Sequence, residues 1–403
     1  MEKCIVSDEN QNKLASWLLL IGIILIASNL RAPLTSVGSL LSSIRDDLAI
    51  SNTLAGALTT LPLLAFAILS PFVSVIANRV GMERTIFYSF ILLTTGLVIR
   101  SLFGVTFLFS GTVIVGIAIA FGNVLLPGLI KMKFPFKIGL MTGLYAVFMN
   151  LFGALASGIS LPLSRISGFG WKGSLACWGF FSIIALLVWI SQLKSKADSP
   201  KVQSRSEVVN NNVWKSSLAW NITVYMGTQS MVFYTMVSWL PEILKDNGYT
   251  SDVAGWMLSL MQFAFIPFTF IVPVIAEKTA DQRLLTGITG VLVIIGAIGL
   301  FSGNTVFITI AVICIGSACG AAFSLSMMFF SLRSKDGQEA SKVSGMAQSF
   351  GYLIAAAGPI LLGAMHDITA GWFLPLATVG IVGIILIGTG MKAGADRKIA
   401  SAR

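Results

Sequence analysis

Charge is the scarcest commodity in this chain. Only 11% of its 403 residues are Asp, Glu, Lys or Arg, against about 25% in a soluble domain. That deficit excludes an ordinary soluble fold. All 17 carboxylates lie in tails, loops or the ends of apolar runs, which excludes a proton relay of carboxylates at mid-membrane. There is one histidine, His366, so no His-based triad and no multi-His metal site can be built. The four cysteines (Cys4, Cys177, Cys314, Cys319) show no metal-ligand spacing and read as small apolar side chains. No Walker A pattern occurs, so ATP does not drive the protein. No nucleophile–base pair stands out. Neither enzyme chemistry, a metal nor a cofactor is expected.

Long apolar stretches take the place of what is missing. Apolar residues make up 55% of the chain, and the mean hydropathy is +0.86. Twelve runs are each long enough to cross a bilayer as a helix: 14–44, 53–77, 84–103, 105–130, 138–163, 172–193, 214–244, 252–276, 283–301, 304–330, 341–365 and 371–391. The first is too long for a secretory signal and carries Arg31 and Pro33. The net charge of +10 is better explained by topology than by nucleic acid. With the N-terminus inside, 21 Lys and Arg fall in inner segments and 5 in outer ones, Arg100 among the latter. This bias predicts a multi-pass protein of the cell membrane with both termini cytoplasmic. The same basic segments attract anionic lipid headgroups.

The longest polar stretch, 194–213, divides the chain nearly in half and reads as a cytoplasmic linker. The predicted domains are therefore 1–193 and 214–403, each a six-helix bundle. The halves match at an offset of about 199. Ala55-Gly56 repeats as Ala254-Gly255, and Val75-Ile76-Ala77 as Val274-Ile275-Ala276. Such a parallel repeat predicts two bundles that face each other across a central cavity at mid-depth.

Arg31 is the only charge between Leu14 and Ile44. At 1.5 Å per helical residue, Lys13 lies about 27 Å before it and Arg45 about 21 Å after it. A guanidinium at mid-depth costs on the order of 3 kcal/mol unless something compensates. No carboxylate lies away from the ends of any run to do so, which points to an anionic or strongly dipolar substrate. Holding two helices together is the alternative. The repeat places Gln229-Ser230 opposite it in register. Asn29, Asn123, Tyr145, Asn150, Tyr234, Gln348 and Tyr352 are further polar side chains within runs. Each is as well suited to packing as to binding. Gln348 and Tyr352 share a helix face by i, i+4 spacing.

The segment Asn78-Arg79-Val80-Gly81-Met82-Glu83-Arg84 resembles the loop motif between helices two and three of the major facilitator superfamily. Arg79, Gly81 and Arg84 carry the likeness, with Asn78 where the motif has Asp. Asn29-Leu30-Arg31-Ala32-Pro33, Gly122-Asn123, Gln229-Ser230 with Tyr234 and Trp239-Leu240-Pro241, and Gly345-Met346-Ala347-Gln348 with Gly351-Tyr352 are similar to the cyanate and 2-nitroimidazole permease branch. The resemblance implies an all-α integral membrane protein of twelve transmembrane helices in two six-helix bundles. It also implies alternating access, and Arg31, Gln229, Tyr234, Gln348 and Tyr352 as site residues.

The expected function is secondary transport of a small anionic or polar solute. Asn29, Asn123 and Tyr145 complete the expected site, and Arg79, Gly81 and Arg84 form a gating loop. Expected partners are that solute, the lipid bilayer and, among the coupling options, a co-transported proton; nucleic acid is not expected. One alternative is an exporter of uncharged heterocyclic drugs lined by Phe148, Phe152, Trp239, Phe350 and Met346. Another is a membrane receptor on a transporter fold.

Overall fold

In hydrocarbon every backbone N–H and C=O must bond within its own segment, so runs of this length have one solution, the helix. The computed structural model describes residues 2–50, 52–102, 104–166, 168, 170–194 and 213–399. It contains twelve α-helices and, among the described residues, no strand. They are α1 (Glu2–Leu48), α2 (Asn52–Val80), α3 (Met82–Arg100), α4 (Val105–Lys133), α5 (Ile138–Ser164), α6 (Gly170–Lys194), α7 (Ser217–Asp246), α8 (Ser251–Glu277), α9 (Arg283–Gly299), α10 (Thr305–Leu332), α11 (Gly337–Thr369) and α12 (Phe373–Ala393). The linker predicted over 194–213 lies almost wholly outside the described residues.

Each predicted run maps to one α-helix, the run 214–244 starting on a short 3-10 turn (Val213–Lys215) before α7, and several helices overrun the apolar pattern. α11 begins four residues before its run because Asp336 caps it: its carboxylate accepts from the Glu339 N–H at 2.8 Å. Glu339 in turn accepts from the Lys335 N–H at 2.6 Å, a reciprocal cap. Ten helices are long and apolar enough to cross a membrane. The exceptions are α9, only 17 residues, and α7, whose apolar faces are broken by Asn221, Thr223, Thr228, Gln229 and Ser230.

By packing, the chain divides into two units. The first comprises Met1–Phe66, Val75–Leu126 and Phe148–Val209; the second comprises Ala67–Ser74, Pro127–Val147 and Asn210–Arg403. The core of unit one includes a cluster of Val37, Leu40, Ile44, Leu58, Leu108, Trp171 and Leu175. Unit two packs α7 on α11, α8 on α10 and α9 on α12. Lipid tails are as apolar as the side chains, so helix association there depends on close approach rather than on expelling water. Gly316 and Gly320, one turn apart on α10, lie directly against the Met261 and Phe265 carbonyls of α8; a Cβ at either would strike backbone. The segments 67–74 and 127–147 join unit two through bonds such as Ser331 Oγ to the Pro127 carbonyl at 3.0 Å.

Candidate functional site

In unit one, α1 and α5 meet around Arg31. Its Nη1 donates to the Asn150 Oδ1 at 2.7 Å. The aliphatic stem lies over Gly153, where a Cβ would come within 3.0 Å of the Arg31 Cγ. One turn on, Thr35 Oγ1 donates to the Gly153 carbonyl at 2.8 Å. The small residue on α5 therefore lets a long cationic side chain pass between two helices and present its head at mid-span. The side chain is partly buried.

Pro33, two residues on, lacks an N–H and disturbs the helix ladder. Its carbonyl accepts from Arg100 Nη1 at 2.7 Å. Arg100 is fully buried, although the topology count places it in an outer segment. The reason is geometric. It is the last residue of α3 and its guanidinium turns inward onto α1. Its Nε and Nη2 are buried without a hydrogen-bond partner among the described residues. Asn29 is also fully buried. Its amide donates to the Leu25 carbonyl at 2.9 Å, and its Oδ1 has no partner among the described residues. Asn123 sits half-buried on α4, beside Gly122, whose missing side chain makes room for Leu30 of α1.

Unit two holds the remaining expected residues. Gln229 is buried and its amide donates to Ser230 Oγ at 2.6 Å. Gln348 is likewise buried and donates to Ser344 Oγ at 3.1 Å. Tyr145 is buried, its hydroxyl without a hydrogen-bond partner among the described residues. Tyr234 meets the edge of Phe233 at a centroid distance of 5.5 Å. Helical geometry does put Gln348 and Tyr352 on one face of α11.

The expected gating loop is shorter than it reads. α2 ends at Val80 and α3 starts at Met82, so the break is Gly81 alone, at φ 97°. A side chain would be strained there. Arg79 and Arg84 are exposed on either side of it.

Two residues were undervalued by sequence reasoning. Asn150 is one neutral polar residue among several within the runs, and nothing in the sequence couples it to Arg31. Arg100 looked like the flank of a span. In the structure Gly111 of α4 lies against the Arg100 backbone, where any side chain would collide; the sequence alone carries no signal of it.

Twelve helices, ten of them long and apolar enough to cross a membrane, with polar and cationic side chains on several of them, describe a multi-pass membrane protein of the transporter type. The chain belongs to the Major Facilitator Superfamily, whose family model matches residues 19–359 and 240–393. It is 43% identical to the transporter YycB of Bacillus subtilis (strain 168), over 97% of this chain and 96% of that one. It is 38% identical to the 2-nitroimidazole transporter of Escherichia coli (strain K12), over 98% and 99%. To the cyanate transport protein CynX of the same strain it is 26% identical, over 92% and 96%. In three dimensions it is similar to the proton:xylose symporter XylE, with a TM-score of 0.73 at 12% identity, covering 93% of this chain and 95% of that one.

Proposed function

We propose that this secondary transporter carries a small anionic or polar solute by alternating access, with Arg31 as the group that recognises negative charge. The observation that carries this reading is the mid-span guanidinium of α1, the only charged residue in Trp17–Gly38, steered by a neutral amide oxygen. An amide oxygen orients the guanidinium, and a charge-assisted bond from it to an anion is stronger than a neutral one. Asn29, Asn123, Tyr145, Gln229, Tyr234, Gln348 and Tyr352 supply further polar contacts, and Arg79, Gly81 and Arg84 the gating segment. The bundles are 1–193 and 214–403, linked by 194–213, with both termini cytoplasmic. Carboxylates confined by sequence to tails, loops and run ends suit a proton that travels with the substrate's own acid form.

The relatives named for cyanate and for 2-nitroimidazole bracket the chemistry: one anion, one heterocycle. The higher identity to the second keeps an uncharged nitroheterocycle as a second reading. Uptake into proteoliposomes of cyanate, nitrate, small carboxylates and 2-nitroimidazole, with and without a pH gradient, separates them. Arg31→Ala is expected to abolish anion uptake and Arg31→Lys to retain part of it. Wild-type anion uptake by Arg31→Ala overturns the proposal. A melting curve of each variant shows separately whether Arg31 also holds α1 to α5.

A further inference from the structure

Where α9 begins and α12 ends, unit two has a cavity of about 320 Å³ lined by Arg283, Met391, Lys392, Ala395 and Arg397. The three cationic side chains are exposed at its rim, and Ala395 is buried at its base. One carboxylate stands beside them, Asp281, 3.4 Å from Arg283 Nε. The other nearby acid, Asp396, reaches toward Arg333 Nη1 at 3.7 Å instead. Three cations against one carboxylate leave a positive local balance.

The pocket is built rather than draped. The segment after α12 is pinned by backbone and guanidinium bonds. Gln282 N donates to the Gly394 carbonyl at 2.9 Å, and Ile399 N to the Arg333 carbonyl at 2.9 Å. Arg333 Nε donates to the Ala393 carbonyl at 3.0 Å and Nη2 to the Gly394 carbonyl at 2.8 Å. Ile399 is buried. Arg397 is thus held within a fixed turn between Ala395 and Ile399. The rim continues as apolar surface: Met391 is 46% exposed on α12, Leu284 76% and Ile288 46% on α9. A ligand that fits both parts has an anionic head and an apolar body.

We propose that this pocket binds a phosphate group, that of an anionic phospholipid headgroup, with Lys392, Arg397 and Arg283 around the phosphate and the acyl chains along α9 and α12. Basic pockets between transmembrane helices recognise such headgroups, and each nearby Lys or Arg contributes about fivefold in affinity. Arginine adds paired N–H donors matched to phosphate oxygens. The site belongs to unit two and Arg31 to unit one, and it stands or falls independently of the transport reading.

The test is native mass spectrometry of the full chain in detergent, offered equal amounts of phosphatidylglycerol and phosphatidylethanolamine, with inorganic phosphate as the free-anion arm. Preferential retention of one phosphatidylglycerol is expected, lowered about fivefold by Lys392→Gln or Arg397→Gln and nearly abolished by Arg283→Gln/Lys392→Gln/Arg397→Gln. Arg397→Lys should restore most of the single-site loss. Displacement of the lipid only by a large excess of inorganic phosphate supports the headgroup. Tight retention of inorganic phosphate itself, lost in the triple variant, assigns the same cations to a free anion. Equal retention of both lipids without phosphate binding, or a triple variant that behaves as wild type with an unchanged melting temperature, overturns the site.

Discussion

At the C-terminal ends of α1 and α7 the two halves of the chain are built alike. The Trp171 indole at the start of α6 donates to Asp47 at 2.9 Å, and the Trp372 indole at the start of α12 donates to Asp246 at 2.6 Å. Asp47 and Asp246 are 199 positions apart, Trp171 and Trp372 are 201, so this is one device copied with the repeat. At mid-depth the copies part. α1 carries Arg31, bonded to Asn150; the register-related position on α7 is Ser230, bonded by Gln229. The fastening of first to last helix within each half is shared, and the charge is not. Both halves keep the same end contact, and only the first carries a guanidinium at the position where the second has a neutral serine.

The largest effect should come from erasing that difference. Arg31→Gln makes both mid-depth positions neutral while keeping hydrogen-bond donors. Loss of a charge-assisted bond of about 1.5–3 kcal/mol corresponds to a fall of roughly ten- to a hundredfold in kcat/KM for anions. Uptake of uncharged 2-nitroimidazole should change less than about threefold. Equal losses for both substrates would mean that Arg31 serves the scaffold and that the two halves do not differ in recognition.

Next in size is the shared device. Trp171→Phe and Trp372→Phe keep the ring and delete the N–H that meets a carboxylate. Each should lower stability by about 2 kcal/mol, the value of a hydrogen bond to a charged group. The comparison predicts that the two losses agree within about 0.5 kcal/mol in denaturant or thermal unfolding. A loss confined to one half would show the copies to be unequal.

A smaller effect should follow from the steering amide. Asn150→Ala leaves Arg31 in place and removes the acceptor at 2.7 Å. KM for an anion should rise about tenfold with little change in kcat, the pattern of lost positioning in the bound state. Asn150→Asp should do more harm than Asn150→Ala, because a carboxylate there competes with the substrate for the guanidinium. Better anion transport by the Asp variant would contradict Arg31 as the recognition group.

The twelve helices were legible because hydrocarbon leaves the backbone one regular solution, and Arg31 stood out because charge in that solvent is expensive. What could not be read depended on where side chains turn. Arg100 closes an apolar run, a position at which a cation ordinarily reaches outward to the interface. Only the α1 carbonyl at Pro33, brought close by packing, draws it inward. Asn150 lies 119 residues from Arg31, and no local pattern couples them. The gating segment read as a loop because its residues are polar, yet one glycine at positive φ lets two helices nearly abut.

The smallest prediction returns to the two Asp–Trp pairs, at the neighbours that differ. Lys172 Nζ lies 3.6 Å from Asp47 and over the Trp171 ring at 5.1 Å. His366 lies 3.8 Å from Asp246, and its ring lies tilted against Trp372 at a centroid distance of 4.3 Å. The first neighbour acts mainly through a charge on a half-exposed pair, worth up to about 1 kcal/mol and weakened by salt. The second acts largely through ring contact, worth about 0.5–1.5 kcal/mol, which salt does not screen. Lys172→Ala should therefore cost about 0.5 kcal/mol at low ionic strength and almost nothing at 1 M salt. His366→Ala should cost a similar amount at both. Unfolding curves at the two ionic strengths decide the matter: if His366→Ala loses its effect in salt as Lys172→Ala does, both neighbours are simple counterions and the ends of the two halves are more alike than their sequences.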